Sequence, residues 1–127
     1  MKTSLANRTS EELFADGVSL FNEEEFFECH EVLEALWNRE EEPNRQFTQG
    51  LIQIAVAIYH LLRGNEIGAL KLLPRGLGRI ANFKPTYRSI DTAKLCVDVE
   101  SLLSQIKAGS VKDQPFHIPK LELVSGC

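Results

Sequence analysis

The chain has 127 residues, of which 43% are hydrophobic and 25% are charged, and its formal net charge is −4. These values are ordinary for one globular domain, and they exclude a disordered chain, a collagen and a coiled-coil rod. The longest uncharged run, residues 46–62, contains three glutamines and a histidine and is too short and too polar to cross a bilayer. We therefore expect no membrane association.

Charge is distributed unevenly along the chain. Residues 1–42 carry three basic and twelve acidic groups, whereas residues 43–90 carry seven basic groups against one acidic group, Glu66. The favoured interpretation is that the two segments face each other, within one chain or across a dimer. A nucleic-acid partner for the basic segment is disfavoured because the pI of 5.4 opposes binding to a polyanion.

The three cysteines, Cys29, Cys96 and Cys127, show neither a CxxC motif nor a metal-ligand spacing. An odd number of cysteines, with no apolar signal segment at the N-terminus, predicts a reducing and hence cytoplasmic location. Cys29 and Cys96 lie among apolar residues and are predicted to be small core residues. Cys127 is the last residue and is expected to be frayed.

The first three predicted helices follow from capping and turn signals. Thr9 and Glu12 form a capping box, which places the start of the first helix next to them. Gly17 lies on the buried stripe of that helix and predicts a close approach by another helix. Pro43 ends the second helix and precedes the third. The predicted spans are residues 10–22, 24–39 and 45–62.

The C-terminal half predicts two more helices and no strand pair. Asn65 is the expected N-cap of the fourth helix, and Pro74 is expected to kink or end it. Asp91 is expected to cap the fifth helix. The predicted spans are residues 66–73, a looser turn to residue 82, a loop at 83–90, a helix at 91–108 and a tail at 110–127. The predicted fold is all-α, a compact bundle of about five helices with an extended C-terminal tail.

Two predicted helices carry polar residues where apolar ones are expected. On a helical wheel of the second helix, Glu34 is the acid that falls between apolar neighbours and is therefore expected to be partly buried, and His30 lies one turn before it. Glu31 points to the far side. The third helix is apolar around most of its circumference, with one stripe of uncharged amides and a histidine: Gln46, Gln49, Gln53 and His60. Such a stripe predicts an interior hydrogen-bond network.

The two polar regions are expected to meet, because a short turn makes the second and third helices antiparallel neighbours. That register brings Glu34 near Gln49 and His30 near Gln53. Gly50 lies beside the stripe and is expected to let these two helices close up. The predicted site also includes two aromatic walls and a histidine one or two turns further along: Trp37, Tyr59 and His60.

Three interpretations of this cluster stay open. It could be a structural network that sets helix register, or a pocket for a small polar ligand in which His30 and Glu34 are the candidate catalytic acid–base pair. It could also bind a divalent metal through His30, Glu34 and His60. The metal interpretation is weakened because neither HExxH nor Glu-x-x-His occurs. The favoured expectation is therefore no cofactor.

Three ordered segments resemble the domain of unknown function 309 family. Residues 27–37 (FECHEVLEALW) resemble its FExHExLExxW segment, residues 49–55 followed by His60 resemble QGLIQxA…H, and residues 64–69 (GNEIGA) resemble its third block. The resemblance implies a small all-α bundle from bacteria, archaea or plastids, and it implies no activity. The signature positions correspond to His30, Glu31, Glu34, Trp37, Gln49, Gln53 and His60.

The expected organisation is one all-α domain over residues 1–127, with a family-like helical core at residues 8–82. Three functions compete, and whether any reaction is catalysed stays open. The first is binding of a small polar ligand, with contacts from Glu31, Trp37, Gln49, Gln53, Tyr59 and His60. The second is a homo-oligomeric helical interaction module. The third is an anion or RNA binder that uses the basic segment at residues 63–88.

Overall fold

The computed structural model describes residues 5–124, and five α-helices form the body of the protein. This confirms the predicted all-α bundle. The helices are α1 (Ser10–Asn22), α2 (Phe26–Trp37), α3 (Asn44–Leu62), α4 (Glu66–Ala81) and α5 (Thr92–Lys107). Single 3-10 turns occur at Leu5–Asn7 and Ser110–Lys112. Within residues 5–124, none of the helices has the length and apolar character needed to cross a membrane.

Local signals set the helix ends largely as predicted. The Thr9 hydroxyl accepts from the Glu12 backbone N–H at 3.1 Å, and the Glu12 carboxylate accepts from the Thr9 N–H at 2.8 Å. These hydrogen bonds lower the pKa of Glu12, with the backbone bond as the largest cause. Asn65 and Asp91 cap α4 and α5, each accepting from the N–H three residues later at 2.9 Å. The second helix is two residues shorter at each end than the predicted 24–39.

α3 is the central helix, with α2 on one side and α4 on the other. Its contact with α4 is close because two glycines lie there: a Cβ at Gly76 would come within 3.0 Å of the Gly50 carbonyl oxygen. A Cβ at Gly50 would meet the Ile80 side chain at 2.9 Å. Gly50 therefore permits the approach of α4, and the prediction that it closes α3 against α2 is wrong. Gly17 does permit the predicted close approach, because a Cβ there would overlap the Leu33 side chain of α2.

α4 does not end at Pro74, contrary to the sequence prediction. The helix continues to Ala81. Proline removes one backbone hydrogen bond and crowds the preceding turn, which is why sequence favours a break. Here the Pro74 ring is exposed, while Leu73, Gly76 and Ile80 are buried on both sides of it. Packing against α3 thus holds the two halves of α4 in one helix.

The predicted loop at residues 83–90 contains a short hairpin, so the prediction of no strand pair is wrong. Strands β1 (Thr86–Tyr87) and β2 (Ile90–Asp91) pair antiparallel. The two turn residues, Arg88 and Ser89, have φ of 50° and 66°. Tight hairpins need positive φ at both turn positions and usually obtain it from asparagine or glycine, so this sequence carries no hairpin signal.

The C-terminal tail runs extended over the bundle, as predicted. It continues the small sheet through a bridge between Ile90 and Leu123. The Asn22 side chain at the end of α1 forms two hydrogen bonds with the Leu121 backbone: it accepts from the N–H at 2.7 Å and donates to the carbonyl at 2.9 Å. Leu121 itself is 1% exposed.

Two cysteines are small core residues, as predicted. Cys29 and Cys96 are free and buried, and the Cys29 thiol donates to the Gly17 carbonyl at 3.3 Å. Burial raises the pKa of Cys29 to about 12, and it also raises the pKa of Cys96. A thiol that stays protonated at neutral pH is a poor nucleophile. Cys127 lies outside the described residues.

Candidate functional site

A cleft of about 360 Å³ opens where α2, α3 and α4 meet. Binding sites for small molecules occupy roughly 300–1,000 Å³, so the volume is at the lower end of that range. Its lining includes charges of both signs, amides and the Trp37 indole. The charged and aromatic members are Glu34, Trp37, Glu42, Arg45 and Arg79.

Arg79, in the last turn of α4, is held by two glutamine side chains of α3. Its Nε donates to the Gln53 amide oxygen at 3.0 Å, and its Nη1 donates to the Gln46 amide oxygen. Within residues 5–124, no carboxylate lies within ion-pair distance of this guanidinium. Neutral amide dipoles therefore orient Arg79, and it forms no ion pair within the described residues.

Arg79 is not among the site residues predicted from the sequence. Lys71, Arg75 and Arg79 recur at every fourth residue, but that spacing places them on one helix face only if the helix passes Pro74. The continuous α4 carries Arg79 to the cleft. Its other side faces a more open groove of about 490 Å³, where Arg75 and Pro74 are exposed.

The second arginine of the cleft, Arg45, lies on the face of Trp37. Its guanidinium carbon is 3.7 Å from the indole ring centre, and its Nε donates to the Trp37 carbonyl at 3.4 Å. Glu42 lies one turn before Gln46, and its two oxygens accept from the Gln46 backbone N–H at 2.9 Å and from the Gln46 side-chain amide at 3.1 Å. The first turn of α3 thus organises this end of the cleft.

His30 and Glu34 are in contact on α2, with 3.2 Å between His30 Nε2 and a Glu34 carboxylate oxygen. The predicted pair is therefore present. The prediction that Glu34 is partly buried is wrong, because its side chain is 56% exposed. A helical wheel shows apolar neighbours in projection, but α3 leaves this edge of α2 open to solvent.

The structure does not bring all of the other predicted site residues into the cleft. Gln49 lines the cleft with Glu34, as predicted. Gln53 is 9% exposed and turns towards Arg79. Glu31 is exposed, in agreement with the wheel. Tyr59 contacts the exposed Phe27 ring, with 5.8 Å between ring centres, and is absent from the cleft lining.

His60 is held at the α3–α4 corner and does not join the cluster. Its Nδ1 lies 3.3 Å from the Asn65 side-chain nitrogen, and its ring packs where a Cβ at Gly68 would lie. Across residues 5–124, no three His, Cys, Asp or Glu side chains converge as a metal site requires. The predicted metal set of His30, Glu34 and His60 is therefore not assembled.

The sequence of this chain is similar to those of known proteins. The family model of the domain of unknown function 309 (DUF309) matches residues 14–72. Residues 14–72 of this chain are therefore similar to that family. The match confirms the resemblance seen in the sequence. The match contains the cleft residues contributed by α2, α3 and the loop between them, whereas Arg79 lies outside the matched residues.

Two relatives match more of the chain than the family model does. The uncharacterized protein YpuF of Bacillus subtilis (strain 168) is 41% identical over 107 residues, which cover 77% of this chain and 60% of YpuF. An uncharacterized protein of Aquifex aeolicus (strain VF5) is 24% identical over 112 residues, which cover 87% of this chain and 34% of that protein. The chain therefore spans between one third and three fifths of the length of these relatives.

Proposed function

We propose that the cleft between α2, α3 and α4 binds a small polar molecule that carries a carboxylate. The observation that supports this most strongly is Arg79, whose guanidinium is oriented by the Gln46 and Gln53 amide oxygens and has no carboxylate partner within residues 5–124. A guanidinium presents several N–H donors in a planar fork that matches a carboxylate. Those donors of Arg79 that the two glutamines do not use are available to a ligand.

Arg45 supports the same proposal from the other side of the cleft. Stacking on Trp37 fixes the plane of its guanidinium, because the ring face attracts the cation. Little side-chain entropy is then lost when a ligand binds. Two orientated guanidinium groups in one cleft are better suited to a small anion than to the long backbone of a nucleic acid, which needs an extended basic surface.

The competing interpretation is that the amides and charges of the cleft only set helix register. It predicts that small anions leave the protein unchanged. The cytoplasmic location predicted from the cysteines remains part of this proposal, because a metabolite-binding protein would meet its ligand there. As the predicted acid–base pair, His30 and Glu34 would exchange protons with a molecule that is already bound. Binding is therefore tested before catalysis.

Trp37 makes a direct test possible, because it is the single tryptophan of the chain and lines the cleft. Acetate, succinate, citrate and benzoate would be titrated to about 10 mM while Trp37 emission and the thermal midpoint are followed. We expect at least one carboxylate to change both, and Arg79→Gln to weaken its binding about tenfold, since a hydrogen bond to a charged group is lost.

Lys71→Gln is the matched control, because Lys71 is an exposed α4 cation outside the cleft. It removes the same charge and should leave binding unchanged. The proposal is overturned if no small carboxylate, with or without an amine, alters emission or the thermal midpoint. It is also overturned if Arg79→Gln binds as tightly as the unmodified protein.

A further inference from the structure

We infer that the ligand of this cleft is a small aminocarboxylate, a molecule that carries a cationic amine together with its carboxylate. The inference rests on the proposed function and adds the second charge. Its starting point is the charge content of the cleft, whose lining holds two arginines and two glutamates. A zwitterion would present both signs to this lining and add no net charge.

The glutamates and arginines of the cleft are not paired with each other. Within residues 5–124, neither Glu34 nor Glu42 forms an ion pair with Arg45 or Arg79. Each arginine has other partners instead: the Trp37 ring for one and glutamine amides for the other. Charges of both signs that line one cleft without pairing are available to a ligand that carries both.

Glu34 is the carboxylate better placed to receive an amine. The two oxygens of Glu42 already accept from Gln46, at 2.9 and 3.1 Å. The Glu34 carboxylate has a single partner in the described chain, the His30 ring nitrogen at 3.2 Å, and its side chain is 56% exposed. An ammonium group has three donors and can approach Glu34 without displacing an existing hydrogen bond.

Glu34 and the Trp37 ring that Arg45 covers are neighbours on α2. Glu34 and Trp37 are three residues apart and lie on the same face, separated by about 4.5 Å along the helix axis. Arg45 covers Trp37. Glu34, Arg45 and Arg79 thus border the same cleft, where an aminocarboxylate can place its amine at Glu34 and its carboxylate towards the arginines.

A plain carboxylate would fit the cleft less well. The arginines would attract its negative charge, but the Glu34 carboxylate that lines the same cleft would repel it. A plain amine would be repelled by the positive charges of Arg45 and Arg79. The aminocarboxylate avoids both.

Matched ligand series test the inference. Glycine, L-alanine, L-phenylalanine and γ-aminobutyrate would be titrated against the carboxylates without the amine: acetate, propionate, 3-phenylpropionate and butyrate. The amines without the carboxylate would be methylamine, ethylamine, phenethylamine and propylamine. Trp37 emission and isothermal titration calorimetry would report binding. We expect at least one aminocarboxylate to bind about tenfold more tightly than its matched carboxylate, and the amines to bind least.

Glu34→Gln should reduce that advantage to about twofold or less, since it removes the charge that attracts the amine and repels a plain carboxylate. Glu41→Gln is the control, because Glu41 is exposed and outside the cleft lining. Equal or tighter binding of the carboxylates would overturn the inference and leave the proposed function standing. The same holds if Glu34→Gln keeps the full preference for the amine. If no compound of any series binds, both the inference and the proposed function fail.

Discussion

The Glu40 carboxylate and the Arg88 guanidinium form an ion pair of 2.7 Å with side chains that are 7% and 20% exposed. The other Glu40 oxygen accepts from the Thr48 hydroxyl at 2.5 Å. The Arg88 guanidinium carbon also lies 4.1 Å from the centre of the Phe14 ring. One acid of the N-terminal segment thus joins α1, α3 and the hairpin, which is a contact of the kind that the uneven charge distribution predicts.

Glu40→Ala is expected to lower the free energy of unfolding by about 3–5 kcal/mol, because it leaves Arg88 charged and poorly solvated. Urea denaturation measures the change. Glu41→Ala, at the exposed neighbouring position, should stay within about 0.5 kcal/mol of the unmodified protein. Adding Arg88→Met to Glu40→Ala should recover part of the loss. A Glu40→Ala protein as stable as the Glu41→Ala control would contradict this account of the pair.

Gly76→Ala and Gly78→Ala should change stability in opposite directions. A Cβ at Gly76 would lie 3.0 Å from the Gly50 oxygen and 3.0 Å from the Ile54 nitrogen, which are backbone atoms that cannot move independently. We expect a loss of about 1–3 kcal/mol from overpacking. A Cβ at Gly78 meets nothing within 4 Å, so alanine should stabilise the helix by up to about 1 kcal/mol. Urea midpoints of the two variants that shift in the same direction would refute the close contact between α3 and α4.

The protein should lose stability above pH 9, in part through Cys29. Its pKa is about 12 in the folded state against an ordinary value of 9.0. Below pH 9 the thiol is protonated in both states and this contribution is fully present. Between pH 9 and 12 only the unfolded chain loses the proton, so stability falls by about 1 kcal/mol per pH unit. Cys29→Ala should flatten the decline in urea midpoint between pH 8 and 10. An unchanged slope would show that Cys29 is not buried.

Arg45→Ala should expose the indole of Trp37 to water. Because Arg45 covers one ring face at 3.7 Å, its removal should move the emission maximum to longer wavelength and lower stability by about 0.5–1 kcal/mol. Arg63→Ala is the control, since that arginine lies over Tyr59, 5.5 Å from the ring centre. Superimposable emission spectra for Arg45→Ala and the unmodified protein would mean that the stacked geometry does not persist in solution.

The helices could be predicted from sequence because their signals are local. A capping box at Thr9 and single caps at Asn65 and Asp91 act within three residues, and the structure confirms each of them. The errors at Pro74 and at the hairpin arose where distant packing decides. Pro74 stays within a helix because residues on both sides of it pack on α3, and the hairpin turn at Arg88 and Ser89 forms without a sequence preference for positive φ.

The site was predictable only where two adjacent helices supply it. Pairing α2 with α3 in antiparallel register correctly placed Glu34 and Gln49 at one cleft. Arg79 comes from α4, and its position depends on the uninterrupted helix and on the glycine contact with α3. A helical wheel describes one helix in isolation, so it could not show that the buried amide of Gln53 faces a cation from a third helix.

The hold of Asn22 on Leu121 joins residues 99 positions apart in the chain. Closing so long a loop has an entropic cost that the helical contacts between sequence neighbours do not carry, so this contact should form late in folding. By the same argument it should open first. The tail would then detach from the end of α1 while α3 keeps its hydrogen bonds. In hydrogen exchange, deuterium would replace the Leu121 amide proton well before the amide protons of α3.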